Sequence, residues 1–298
     1  MPPAKRVEVS VGDRTLSLSN LDKVLYPRAG FTKGHVIEYF MRIAPVLLPH
    51  LEGRPLTLKR YPNGVEGGHF YEKRCPQHRP DWVRTAGVWS GRNEGEVEYC
   101  LCEDLATLVW LGNLADLELH TPLHTVPEVD VPRVIAFDLD PGPPATIAEC
   151  CEVALLLRDA FDHFGLQAFP KTSGSKGMQV YVPLNTPGVD YAATRAFSLG
   201  VASVLERQRR DLVVTDMKKT LRKGKVLVDW SQNERHKTTV CVYSLRALQR
   251  PTVSTPLHWE EVEAGGELVF TSADVLERVA EHGDLFAPVL TLEQELPR

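Results

Sequence analysis

Long apolar runs are missing from this chain. The best candidate, "IAPVLLPHL", is short and interrupted by proline, so no segment reads as a bilayer span. The opening "MPPAKRVEVSVGDRTLSLSN" lacks the apolar core of a secretory leader, and a soluble cytoplasmic protein with no membrane partner is expected. Cysteine is also scarce: six in 298 residues exclude a scaffold built on disulfides. Cys75 and His78 in "CPQH", with Cys100 and Cys102 in "YCLCED", offer zinc-type ligands but no C-x-x-C pair, so reduced thiols without metal are expected. Cys150 and Cys151 sit in a helical pattern as small core residues. There is no internal repeat or low-complexity tract. The net charge of −5 argues against an indiscriminate nucleic-acid binder.

What is present is ordinary globular composition, 43% hydrophobic and 24% charged, with local basic clusters. "DMKKTLRKGK" carries Lys218, Lys219, Arg222, Lys223 and Lys225. "LKRYPNG" and "FYEKR" interleave Lys59, Arg60, Lys73 and Arg74 with Tyr61, Phe70 and Tyr71. Basic loops on an acidic body fit contact with phosphate at chosen places; solvated surface charge is the bland alternative.

The pattern opens with a hairpin in "RVEVSVGDRTLSLS". A helix follows in "TKGHVIEYFMRIAPVLLPHL", with Thr32 as N-cap and Pro45 kinking or ending it. From "RVIAFDLD" onward, strands alternate with helices without a strict βαβ rhythm. The class is α+β, with antiparallel pairing and helices packed outside. The whole chain, 1–298, is expected to form a single domain, with an N-terminal lobe over about 1–130 and a catalytic core over about 131–298.

In "VIAFDLDPG", Asp138 and Asp140 fall on one face of a strand with Ala136, opposite Ile135, Phe137 and Leu139. Two carboxylates this close raise each other's pKa, and a divalent cation removes that cost. The bland alternative is a pair of strand-end acids capping the next helix. "KVLVDW" supplies another apolar strand ending in an acid, Asp229. In "KTSGSKGMQVYV", two glycines permit a tight turn whose amides, with Ser173, Ser175 and Lys176, can surround a phosphate. It is not a Walker A loop, and alone it reads equally as a hairpin turn.

The ordered set "FDLDPG", "KTSGSKG", "KVLVDWSQN", "KTT" and "YSLR" resembles the polymerase domain of bacterial ligase D, an end-joining branch of the archaeo-eukaryotic primase superfamily. "LDKVLYP", "LKRYPNG", "FYEKR" and "LELH" extend the resemblance over nearly the whole chain. It implies a primase-polymerase-like fold, a mixed or antiparallel catalytic sheet flanked by helices. It also implies template-guided addition of NTPs or dNTPs, ribonucleotides preferred, at DNA gaps or breaks in non-homologous end joining.

On that pattern Asp138, Asp140 and Asp229 hold two divalent ions, Mn2+ or Mg2+. Ser173, Ser175, Lys176 and Gly177 match the triphosphate turn, and His120 and Arg246 match further phosphate-side contacts. Tyr71 matches the ring stacked on the incoming base, and Lys59 lies near the sugar. Lys23 and Lys33 match the grip on a DNA 5′-phosphate, and Arg222 falls in a template- and primer-handling loop. Residues alone allow blander readings: solvated lysines, a structural His120, and a core or half-buried Tyr71. With no ligase or nuclease segment in the sequence, the expectation is a stand-alone, monomeric protein of the bacterial cytosol and nucleoid, with Ku and a separate ligase as partners.

One departure stands out. Where the family has histidine two residues after the glycine of "SKG", this chain has Gln179, which donates a hydrogen bond but carries no charge near neutral pH. Slower turnover is the expected consequence. Two rivals follow: a catalytically weak DNA-end binder, and a haloacid-dehalogenase-type phosphohydrolase, which shares "FDLD" but continues D-x-D-G-T.

Overall fold

The computed structural model describes residues 6–91 and 94–297. Alternation in "VIAFDLDP" builds the strand Val134–Pro141 at the centre of a five-stranded sheet. Met178–Pro183 and Val226–Asp229 flank it antiparallel, and Phe169–Thr172 and Val213–Val214 form the edges, the latter parallel to its neighbour. A second, antiparallel sheet runs Thr239–Val240, Asp116–Thr121, Thr57–Arg60, Phe70–Glu72. The longer helices are α1 (Lys33–Leu51), α2 (Leu105–Asn113), α3 (Ile147–His163) and α4 (Tyr191–Gln208).

The central strand is covered on both faces, as a run of alternating apolar positions on each side requires. Ile135, Phe137 and Leu139 pack with Val153, Leu157 and Phe161 of α3 and Val201 and Leu205 of α4. Val134 and Ala136 belong to the other core, which gathers α1, α2 and the second sheet. On that second face the apolar pattern stops after Ala136, and Asp138 and Asp140 take its place. The cleft opens there because the sequence stops filling it.

The expected cap on α1 is present: Thr32 accepts from the His35 N–H while the His35 ring accepts from the Thr32 N–H. Pro45 does not end the helix, which continues through Pro45 and Pro49 to Leu51. Pro45 lies on the exposed side, where water takes over the hydrogen bond it removes, while Ile43, Ala44, Leu47 and Leu51 anchor the buried face. The bland account of the paired acids also fails. Helix α3 is capped by Thr146 and Glu149, leaving Asp138 and Asp140 outside its first turn.

The expectation of fully reduced thiols is corrected. Cys75 and Cys100 form a disulfide, while Cys102, Cys150, Cys151 and Cys241 are free and buried. The Cys75 N–H bonds to the Glu98 carbonyl, which lays it beside the end of the hairpin Thr85–Ser90/Gly95–Cys100. That pairing consumes two of the four candidate zinc ligands, and His78 lines a different pocket. No helix among the described residues is long and apolar enough to cross a membrane.

Candidate active site

Strand register does what spacing in the sequence cannot. Across the first sheet Lys171 lies opposite Gln179, Gln179 opposite Asp138, and Asp138 opposite Asp229. Neighbours across a sheet share a face about 4.8 Å apart, so these four side chains form one row. Asp140, two residues further on, joins the same face opposite Leu227. The third acid therefore meets the first two.

Each acid has its own partners. Gln179 Nε2 donates to Asp138 Oδ1 at 2.9 Å, and Gln179 Oε1 is buried without a partner. Burial pushes the Asp138 carboxyl up to about 6; Gln179 opposes this, and the carboxylates of Asp229 and Asp140 reinforce it. Asp140 pairs with Lys176 at 3.0 Å and Arg222 at 3.3 Å. Asp229 accepts from the Ser231 amide (2.9 Å), the Ser231 hydroxyl (2.7 Å) and Gln232 Nε2 (2.8 Å). Among the described residues no group of three or more His, Cys, Asp or Glu is arranged to hold a metal as it stands. These contacts must be exchanged for one to enter.

Behind the row, Lys171 is fully buried and donates to the Val240 carbonyl (3.1 Å) and the Ser254 hydroxyl (2.7 Å). Burial pushes its pKa down to about 7.

The phosphate-type turn closes one side. Ser173 Oγ accepts from the amides of Ser175 (3.2 Å) and Gly177 (3.3 Å), and the Ser173 amide bonds to the Gly177 carbonyl. Gly177 sits so close to the central strand that a Cβ would lie 2.2 Å from the Leu139 carbonyl oxygen. Gly174 has φ +66°, the left-handed region that favours glycine. Arg246 Nη1 donates to the Ser173 carbonyl at 2.5 Å and ties the turn to the strand Leu245–Ala247, which pairs with Pro251–Val253.

The opposite wall comes from the second sheet. Glu118 is bonded by Lys59 Nζ (3.1 Å), His120 Nε2 (3.2 Å) and the Tyr61 hydroxyl (3.2 Å), with Arg246 Nε at 3.5 Å. Burial alone would raise Glu118, but the His120 bond and the charges of Arg246 and Lys59 hold it well below the usual carboxylate range. Burial lowers His120, against the pull of Glu118. Tyr71 is not a core residue: its side chain is open to solvent on an edge strand, with Lys59 Nζ 5.5 Å above the ring and His120 edge-on at 5.8 Å. The walls enclose a cleft of about 330 Å³ lined by His120, Asp138, Asp140, Ser173, Lys176 and Gln179, among others.

Lys23 and Lys33 stand elsewhere, in a pocket of about 570 Å³ that also receives Arg6, Arg60, His78 and Trp82. Lys33 is buried, not solvated; Nζ donates to the Ser19 and Asn113 carbonyls, both at 2.8 Å. Its pKa is pushed down to about 8 by burial, then by Lys23 and Arg60. Lys23 bonds to Asn63 Oδ1 at 3.1 Å. Arg222, in the basic loop after Lys219–Leu221, reaches the acid row through Asp140. Sequence reasoning missed Glu118, Gln232 and Lys171. For Glu118 a signal was available: "LELH" puts an acid and a histidine on one face of an apolar strand.

Comparison with known proteins identifies the family. The family described as LigD, primase-polymerase domain, matches residues 32–286. The multifunctional non-homologous end joining protein LigD of Mycolicibacterium smegmatis is 41% identical over 275 residues, 91% of this chain and 36% of the relative. The bifunctional LigD of Bacillus subtilis is 32% identical over 283 residues, 95% of this chain and 45% of the relative. The chain thus spans less than half the length of either. Among solved structures, the polymerase domain of Mycobacterium tuberculosis ligase D in complex with DNA superposes with a TM-score of 0.88 at 37% identity, over 94% of this chain and 99% of that one. By fold and by sequence, the chain belongs to the LigD primase-polymerase domain family.

Proposed function

We propose that this chain extends the 3′ end of a primer strand with nucleoside triphosphates, ribonucleotides preferred, guided by a template at a DNA break or gap bearing a 5′-phosphate. The single observation carrying this is the register that sets Asp138 against Asp229 beside the Ser173–Gly177 turn. The whole chain, 1–298, works as a single unit in this reading; the core that gathers α1, α2 and the second sheet draws on residues from both halves.

The donor set fits divalent cations. It is all oxygen, its central member is pushed up to about 6 by burial and then by the neighbouring carboxylates of Asp229 and Asp140, and the adjacent Gln179 Oε1 is buried without a donor. Asp138, Asp140 and Asp229 would hold Mn2+ or Mg2+, which supplies Lewis acidity for the attacking hydroxyl and the leaving pyrophosphate. The chain's own residues do the rest. Tyr71 offers an open ring to the base, and Lys59 stands beside it toward the sugar. The Ser173–Gly177 turn, Lys176, His120 and Arg246 receive the triphosphate, and water is displaced as the cleft fills. Lys176 and Arg222, which pair with Asp140 here, are the cations available to the phosphates once that acid is engaged. Gln179 orients Asp138 and transfers no proton.

Lys33 supports the 5′-phosphate reading: it is a buried cation whose partners are two neutral carbonyls, flanked by Lys23. A setting in non-homologous end joining, with Ku and a ligase as partners, is part of this proposal and rests on no contact in this chain. The test is manganese-dependent primer extension on a gapped duplex with a 5′-phosphate, run with ribo- and deoxynucleotides. Extension that prefers ribonucleotides is expected. A pure protein that binds the duplex yet never extends it would leave only an end-binding module.

A further inference from the structure

Glu118 has no role in metal binding, base stacking or phosphate contact, yet it is the most heavily bonded side chain near the cleft. Its side chain is 3% exposed. Oε1 accepts from the Tyr61 hydroxyl (3.2 Å) and the Ala247 amide (3.1 Å). Oε2 accepts from Lys59 (3.1 Å) and His120 (3.2 Å) and faces Arg246 Nε at 3.5 Å. A carboxylate offers about four lone-pair sites, so this one is saturated and has no room for a metal or water. It is a finished group.

Its partners come from separate segments. Lys59 lies on Thr57–Arg60, His120 on Glu118's own strand, and Arg246 on Leu245–Ala247. From this anchor Arg246 reaches the Ser173 carbonyl of the turn, and Lys59 leans over Tyr71. The Tyr71 ring and the turn that lines the cleft are therefore connected through one buried anion. Without it, like charges at this spacing repel, and long side chains regain the rotamer freedom they lose on being held.

We propose that Glu118 is a positioning residue of the nucleotide site, fixing Lys59, His120 and Arg246 so that a nucleoside triphosphate meets a preformed cationic wall. This rests on the polymerase reading above. Glu118 touches no substrate atom. It lowers the ordering cost of binding, as preorganised sites do.

The test is Glu118→Gln, which keeps shape and removes charge. MgATP binding without primer is measured by calorimetry, and extension by steady-state kinetics. Loss of the charge-assisted bonds should weaken ATP binding about 10-fold or more. KM should rise by a similar factor, with kcat falling less. Because Glu118 acts through its cations, the Glu118→Gln/Lys59→Met double variant should lose less than the product of the two single losses. Binding by Glu118→Gln equal to or tighter than the parent's, or strictly multiplicative losses, would overturn the proposal. Circular dichroism and melting check the fold. Should the glutamine variant not fold, the same cycle run with Glu118→Asp, which keeps the charge and shortens the reach, decides on the same criteria. A parent protein that binds no ATP at all sinks the polymerase reading instead, so the two failures are distinct.

Discussion

Asp138 and Glu118 are carboxylates withdrawn from solvent at the same cleft, and they behave in opposite ways. Asp138 stands among acids with one neutral amide as its donor, and its pKa is pushed up to about 6, by burial first and then by Asp229 and Asp140. Glu118 stands among Lys59, His120 and Arg246 and is held low in spite of burial. Burial is common to both, so the partners decide. The second sheet balances its charge within the protein; the first leaves a deficit for a cation from outside to fill. Lys33 mirrors Asp138: a buried cation with carbonyl partners and cationic neighbours, open to an anion.

The largest effect expected from this contrast is at the unbalanced row. Asp140→Ala should reduce primer extension by about 10³-fold or more, the scale of losing a group that acts as part of a catalytic unit. Binding to duplex DNA, measured by anisotropy, should change little. Residual extension within tenfold of the parent would mean the row is not where the metal works.

A smaller effect is expected one strand over. Gln179→His would put a titratable donor against Asp138 Oδ1, where the amide now sits. If turnover is limited by the lack of a protonated group there, single-turnover extension should rise about 10-fold, toward the low end of acid–base contributions. An unchanged rate would show that Gln179 matters only as a prop for Asp138.

Stability should separate the two carboxylates by sign. The folded pKa of Asp138 lies above its unfolded value, so the metal-free fold loses stability as pH rises from 3.8 to about 6 and carries the full penalty above that. Glu118 is depressed in the fold, so its charge stabilises above the unfolded pKa. At pH 8 without metal, Asp138→Asn should melt higher than the parent and Glu118→Gln lower, each by about 1–2 kcal/mol, with the Asp138 figure discounted for partial solvent access. Equal signs would erase the distinction drawn above.

Much of this was visible before folding. Alternation in "AFDLD" places both acids on one face, and strand composition brackets the turn "TSGSKG". The meeting of Asp138 with Asp229 was not visible, since pairing register depends on packing of both faces against two separate cores. Glu118 was hidden for a related reason: its partners are Lys59, 59 residues earlier, and Arg246, 128 residues later, and no local pattern links them. Cys75 and Cys100 are 25 residues apart with nothing between them to mark a bond. The depth of Lys33 was not visible because sequence records charge and not burial; its amine turns inward from the first turn of α1.

The smallest expected effects lie at that mirror image. Lys33 has a folded pKa of about 8 against 10.5 unfolded, so the unfolded chain holds the proton more tightly and stability rises as pH climbs from about 8 toward 10.5. The charge that would meet a 5′-phosphate is lost over the same interval. The affinity ratio of phosphorylated to hydroxyl duplex ends should therefore fall between pH 7 and pH 9. Lys33→Arg, which stays charged, should flatten that profile. At pH 7, Lys33→Ala should reduce the ratio about 10-fold, as for a charge-assisted bond in a partly buried site. Lys23→Ala should cost only about 2–3-fold, because its amine is exposed where it meets Asn63. If Lys23 proves the larger of the two, the phosphate lies at the mouth of the pocket, and burial of Lys33 serves the fold alone.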